Sequence, residues 1–266
     1  MRLPALFISH GSPMFAVEPG RLGPQLARLG KALPRPRAVL VLSAHWMSRG
    51  VEVQAGPAPA TIHDFGGFPP VLYTLDYPAP GAPALADEIV ARLAQHGIAA
   101  RPTTAGGLDH GAWVPLMHLY PAADVPVLQI SLPAPGDPRV LLALGEALAP
   151  LRDTGVLIVG SGSLTHNLRE FRGGAGSQAY IAEFADWVWR TLAADDREAL
   201  IDYRARAPYA QRAHPTDEHF LPLYFAVGAA GADRATVTRL EGGVSSGVIS
   251  MDSFVFGHGA EEVSAQ

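Results

Sequence analysis

The sequence predicts an α/β fold: a central, mostly parallel or mixed sheet with helices on both faces, in a single domain over residues 1–266. Three observations predict it. Short apolar runs alternate with stretches of helical period. Two of those runs, AVLVLSA at 38–44 and GVLIVG at 155–160, are apolar on both faces, as strands covered on two sides must be. The chain is 48 % apolar and only 17 % charged, shows no internal repeat, and is long enough to bury a large core.

The elements follow in order. Ala5–Ser9, Ala38–Ala44 and Val51–Gln54 read as strands. Gln54–Pro83 is rich in Pro, Gly and aromatic residues, and reads as a functional loop rather than a domain boundary. In Pro83–His96, Leu85, Ile89 and Leu93 share one helical face, and Gly97 supplies a stop. Val125–Ser131 is the next strand. Asp137 is placed to cap a helix opened by Pro138 and running to Leu148. After the strand Gly155–Gly160, Ser177–Leu192 sets Ile181, Phe184 and Val188 on one helical face. A last helix is expected from Thr216 to Val227, then strands at Ala235–Leu240 and Val248–Phe256 and a loose tail at 259–266.

Composition excludes several classes. A net charge of -5 leaves no basic footprint for nucleic acid. No apolar run approaches the ~20 residues that span a bilayer, and the N-terminus lacks a signal-peptide pattern. A cytoplasmic protein is expected. With no cysteine there is no disulfide, thiolate zinc site, Fe–S cluster or Cys nucleophile. Ten histidines remain as the main chemical resource.

Three of them follow strands. His10 ends LFIS, His45 ends VLVLSA, and His166 closes GSGSLTH just beyond VLIVG. Ligands of open α/β sheets bind outside the carboxyl ends of the strands, and imidazole is the commonest metal ligand. A fourth candidate lies in HPTDEHFLPL: His219 would complete a three-nitrogen set, and Glu218 a two-His, one-carboxylate set of the non-haem iron kind. Helical neighbours diverge by about 100°, so on a helix the two would not face one metal together. His110 in LDHGAW has neighbours suited to a pocket, and His63 sits on the aromatic loop. His96 suits a helix end, His118 the core, and His258 the tail region. No Walker lysine, G-x-S-x-G elbow or HExxH motif occurs.

Taken in series, SHGSP, SAHW, IHDFGGFP, YPAPG, LDHGAW, GSGSLTHNL and HPTDEHFLPL span residues 9–223. Together they resemble the class III extradiol ring-cleaving dioxygenases, in the branch of the DOPA 4,5-dioxygenase type. The resemblance implies an α/β fold, one non-haem Fe(II), a catechol substrate and O2. It matches His10, His45 and His219 to metal ligands; the related protocatechuate branch has a Glu at the third position, so Glu218 stays open as an alternative. It matches His166 to the acid–base histidine and His110 to a pocket histidine that hydrogen-bonds substrate or oxygen. Phe65, Phe68, Tyr73 and Trp46 are then expected to wall the pocket, with His63 and His214 beside them.

Three neutral imidazoles also suit Zn(II), so zinc in isolated protein is compatible with this set. The implied function is an oxidoreductase that inserts O2 into a DOPA-like catechol and opens its ring. The competing readings are a zinc hydrolase or amidase on the same histidines and a non-catalytic binding member of the superfamily. Small aromatic diol and O2 are the expected partners, with no nucleic acid and no membrane; a homo-oligomer is compatible.

Overall fold

The computed structural model describes residues 2–171 and 178–259. Its strands are β1 (Ala5–Ser9), β2 (Ala38–Ser48), β3 (Val51–Gln54), β4 (Ala60–Thr61), β5 (Ala100–Thr103), β6 (Gly107–Leu108), β7 (Val127–Pro133), β8 (Val156–Gly162), β9 (Val237–Leu240), β10 (Val244–Ser245), β11 (Ile249–Ser250) and β12 (Ser253–Phe256). The longer helices are α1 (Leu22–Ala32), α2 (Pro83–Gln95), α3 (His110–Leu119), α4 (Pro138–Leu148) and α5 (Gln178–Ala193). Three short ones, α6 (Arg197–Ile201), α7 (Tyr203–Arg206) and α8 (Ala210–Ala213), lead to α9 (Pro222–Ala230).

Eight strands make one sheet in the order β5-β3-β7-β2-β8-β1-β12-β9. The middle four, β7, β2, β8 and β1, run parallel. Antiparallel β12 and β9 extend one side. On the other, β3 meets β7 antiparallel and β5 parallel. The sheet is therefore mixed around a parallel centre, and the carboxyl ends of β1, β2 and β8 share one edge.

Alternation along each strand feeds two cores. Leu40 and Leu42 of β2 pack with Ile89 of α2, Leu144 of α4 and Phe225 of α9. Val39 and Val41 pack on the opposite face with Leu26 of α1 and Trp113 of α3. Burying side chains of this size stabilises by about 1.5–3 kcal/mol each, so both layers hold the sheet edge in place.

Several boundaries depart from the sequence expectation. The strand expected at Ala38–Ala44 runs on to Ser48, because its pairing with β7 slips: Leu42 faces Ile130, but Met47 already faces Leu132. Four residues, Ser43 to Trp46, stand opposite Ser131 alone on the β7 side, and this bulge carries His45, while Ser43 keeps its pairing with Ser161 of β8. The helix expected from Thr216 begins only at Pro222, which suits a first helical turn because it has no N–H to pair. Glu218 and His219 thus lie in the preceding turn, closed by Phe220 N–H and Leu221 N–H donating to the Asp217 carbonyl at 2.8 and 3.1 Å. The strand expected over Val248–Phe256 is two, β11 and β12, separated at Met251–Asp252, where the Asp252 carbonyl accepts from Ser9 Oγ at 2.7 Å. Helices α1 and α3 were not anticipated. Residue 177, expected to start α5, and tail residues 260–266 lie outside the described residues.

Candidate metal centre and catalytic pocket

Parallel strands bring the histidines together. His10 follows β1 and is fully buried; its neighbour Ser9 is in register with Gly162 of β8. His45 rides the bulge of β2. His219 reaches the same point because residue 162 is glycine: a Cβ there would collide with the His219 carbonyl. Ser163 N–H, next in the chain, donates to that carbonyl at 2.8 Å.

The Nε2 atoms of His10 and His45 are 3.1 Å apart, and those of His45 and His219 are 3.3 Å apart. Two of the rings are held from behind by hydrogen bonds, and the third faces a carboxylate. Ser161 Oγ donates to the Gly111 carbonyl, so it accepts from His10 Nδ1–H at 3.0 Å. His219 Nδ1–H donates to Glu218 Oε1 at 3.2 Å. His45 Nδ1 is 3.6 Å from Asp64 Oδ2. With Nδ1 carrying the proton, each Nε2 presents a lone pair, and lone pairs at this distance repel unless a cation lies among them. Two imidazole nitrogens each ~2.1 Å from one ion, at angles between square and tetrahedral, stand ~3.0–3.4 Å apart. The donor set therefore fits a divalent metal with three protein ligands.

Two further histidines flank this set. The His110 ring centroid is 4.0 Å from that of His45. His110 Nδ1–H and its backbone N–H donate to Asp64 at 3.0 and 2.9 Å. The His166 ring stacks on His219 with centroids 3.4 Å apart and planes 10° from parallel. Ligand atoms of His10, His45 and His110 lie within 4.8 Å of one another, as do those of His166, Glu218 and His219. Nε2–Nε2 pairs as short as those above join only His10, His45 and His219 among the described residues.

Electrostatics keep the cluster neutral. Burial, then the neighbouring imidazoles, hold His10 well below its ordinary value. Burial with His110 and His219 lowers His45 to about 2, and burial with His219 and His214 lowers His166 to about 3. Burial lowers His219 as well, although Glu218 opposes it. Hydrogen bonding from His219 brings Glu218 down to about 2. Burial alone would raise Asp64, but the bonds from His110 outweigh it and leave that carboxyl at about 2. At neutral pH the site thus offers uncharged imidazoles backed by two carboxylates.

A cavity of about 530 Å³ opens onto His45, His110 and His166. Its walls include Phe65, Phe68, Phe171 and Ile249. Tyr73 stands behind Phe65, with ring centroids 5.3 Å apart, and does not line the cavity. His63 donates from Nε2 to the Leu75 carbonyl at 3.0 Å and packs edge-on against Phe65 and Trp113. Trp46 lies on a separate recess of about 130 Å³ that also touches His45, Asp64 and Asp109. His214 is fully buried against Phe184 and Phe220, its Nε2–H donating to the Leu164 carbonyl at 2.9 Å. The geometry thus brings Phe65 and Phe68 to the cavity and leaves Tyr73, His63, Trp46 and His214 off its wall.

Several contributors were not singled out from the sequence. Asp64 sits in the quoted IHDFGGFP, yet only its contacts show that it serves two histidines. Asp109 is buried: it caps α3 through Ala112 N–H and accepts from Ser43 Oγ at 2.7 Å and Gln129 Nε2 at 2.7 Å. Burial pushes its carboxyl up against those two bonds. Leu168, Arg169 and Phe171 follow directly after GSGSLTHN and reach the cavity.

The chain is similar to several known proteins. The family model for the catalytic LigB subunit of aromatic ring-opening dioxygenase matches residues 4–255. A 4,5-DOPA dioxygenase extradiol of Escherichia coli K12 is 39 % identical over 261 residues, covering 96 % of this chain and 95 % of that one. The protein of the same name from Beta vulgaris is 40 % identical over 255 residues, covering 94 % and 95 %. A crystal structure of an Escherichia coli K12 protein described as uncharacterized superposes with a TM-score of 0.77 at 34 % identity, over 96 % of this chain and all of that one.

Proposed function

The chain belongs to the family of catalytic LigB subunits of aromatic ring-opening dioxygenases, and we propose which of its residues carry that chemistry and on what substrate. The protein is a metal-dependent extradiol dioxygenase that inserts O2 into a catechol-type ring and opens it. The relatives named for DOPA support a DOPA-like catechol as its substrate. The observation that carries the residue assignment is the convergence of the His10, His45 and His219 Nε2 atoms at 3.1 and 3.3 Å.

In this reading His10, His45 and His219 hold Fe(II). A divalent metal held by these residues would supply Lewis acidity that lowers the hydroxyl pKa of a diol and a site at which diol and O2 can react together. The other residues prepare the diol. Phe65 and Phe68 stack along the ring and exclude water. His166, neutral at pH 7, accepts the second hydroxyl proton and later returns it. His110, fixed by Asp64 at Nδ1, directs Nε2 toward the cavity edge where substrate or oxygen is hydrogen-bonded.

Metal identity is settled by stripping the protein and reloading it anaerobically with Fe(II) or Zn(II). Catechols are then screened for oxygen uptake and for the yellow ring-opened product. The Fe(II) form should consume O2 with catechol, and the Zn(II) form should bind catechol without uptake. Equal turnover in both forms, or turnover without O2, would overturn the assignment.

A further inference from the structure

The cavity of about 530 Å³ is larger than a bare diol ring requires and leaves room for a substituent on the ring. Past the histidines its walls are mostly apolar, and one charged side chain, Arg169, lies among the described residues that line it. Among the described residues no Asp or Glu lines it with Arg169. Arg169 is exposed at the rim of this cavity, so an anionic substituent reaching it would be attracted and a cationic one repelled.

The segment that carries Arg169 is fixed. His166 N–H donates to the Ala213 carbonyl at 2.8 Å. Asn167 Oδ1 accepts from Arg169 N–H at 3.3 Å and caps the short turn Leu168–Glu170. The adjacent carboxylate is already engaged: Glu170 takes both arms of the Arg212 guanidinium at 2.9 and 3.1 Å, and Asn167 Nδ2–H at 3.2 Å. Among the described residues the Arg169 guanidinium has no carboxylate partner, although it is placed three residues from His166. A fixed backbone, a planar cation with no carboxylate partner among the described residues and an apolar wall are what recognition of one carboxylate needs.

Building on the extradiol reading above, we propose that Arg169 determines specificity by binding the carboxylate of a side chain carried on the catechol ring. The preferred substrate class is a catechol with an anionic side chain, above neutral catechols and above catecholic amines without a carboxylate. No bond is made or broken at Arg169; it selects and orients.

The test compares 3,4-dihydroxyphenylpropionate, 4-methylcatechol and 3,4-dihydroxyphenethylamine. Wild-type Fe(II) enzyme should prefer the acid, and the preference should shrink as ionic strength rises. Arg169→Gln should lower the ratio of kcat/KM for acid over methylcatechol about 10-fold, mainly through KM. Arg169→Lys should restore part of it, and Arg169→Glu should reverse the order of acid and amine. Titration calorimetry of the same compounds onto Zn(II)-loaded protein gives the ratios without turnover. Ratios that do not move in Arg169→Gln and Arg169→Glu would overturn the proposal. A wild-type enzyme that opens none of the three would instead count against the extradiol reading, and the calorimetric ratios would still report on Arg169.

Discussion

His45 Nε2 and His219 Nε2 stand 3.3 Å apart, although 174 residues separate them in the chain. Glu218 lies on the far side of the His219 ring, at Nδ1. His219→Ala should therefore empty the purified protein of metal. Glu218→Gln should keep it, because the amide oxygen still accepts from Nδ1–H. Metal per chain, measured by plasma emission, checks both; the opposite pattern would make Glu218 the third ligand.

His166 stacks on His219 instead of joining its Nε2 cluster. His166→Gln should retain Fe(II) and catechol binding but lose about 10²–10⁴ in kcat, roughly 3–5 kcal/mol of barrier. Release of metal by this variant would identify a fourth ligand. Full turnover would pass the proton to His110.

Asp64 holds His110 by backbone and ring. Asp64→Asn keeps an acceptor and loses the charge, so kcat should fall about 10-fold with metal retained. Asp64→Ala frees both bonds and should cost more, up to about 100-fold. Wild-type kcat and KM in Asp64→Ala would show that His110 finds its place without this carboxylate.

Acid should destabilise the metal-free protein early. Burial keeps His214 at about 3 and His10 well below its ordinary value. In the unfolded chain both titrate near 6.5. Below that pH the unfolded state binds more protons, so stability is complete above ~6.5 and declines as pH falls toward the folded values. Each ring contributes a slope of about 1.4 kcal/mol per pH unit. Urea midpoints should drop steeply between pH 6.5 and 5, and His214→Gln, though less stable throughout, should show a shallower slope. A midpoint that stays flat over this range would contradict the burial argument.

The sheet edge was legible because an apolar strand ended in His10, a strand apolar on both faces ended in His45, and a turn of small residues led from another such strand to His166. Those local patterns report position along a strand. Helix α3 escaped because it is apolar nearly all round, with Trp113, Val114, Leu116 and Leu119 all buried, so no helical period shows. Helix α1 does carry the period, in Leu22, Leu26 and Leu29, over a single short stretch of 11 residues. His219 was expected on a helix but lies in the turn before it, since Pro222 opens the helix four residues after Glu218. The roles of Asp64 and Glu218 depend on which nitrogen they touch, and that is tertiary information. His214 shows the converse: its place in a motif suggested the pocket, while its burial against Phe184 and Phe220 shows packing.

The same Asp64 that steadies His110 also belongs to the loop bearing Phe65 and Phe68, so the aromatic wall of the cavity and the histidine proposed to hydrogen-bond substrate or oxygen are fastened by one side chain. Selectivity and rate are for that reason not independent modules in this enzyme. A laboratory graft of residues 62–69 from a relative, made to change the preferred ring, would transplant a catalytic brace along with it. Libraries that randomise the aromatic positions while keeping Asp64 fixed should return new preferences at useful rates; libraries that vary all of them together should return mostly slow proteins.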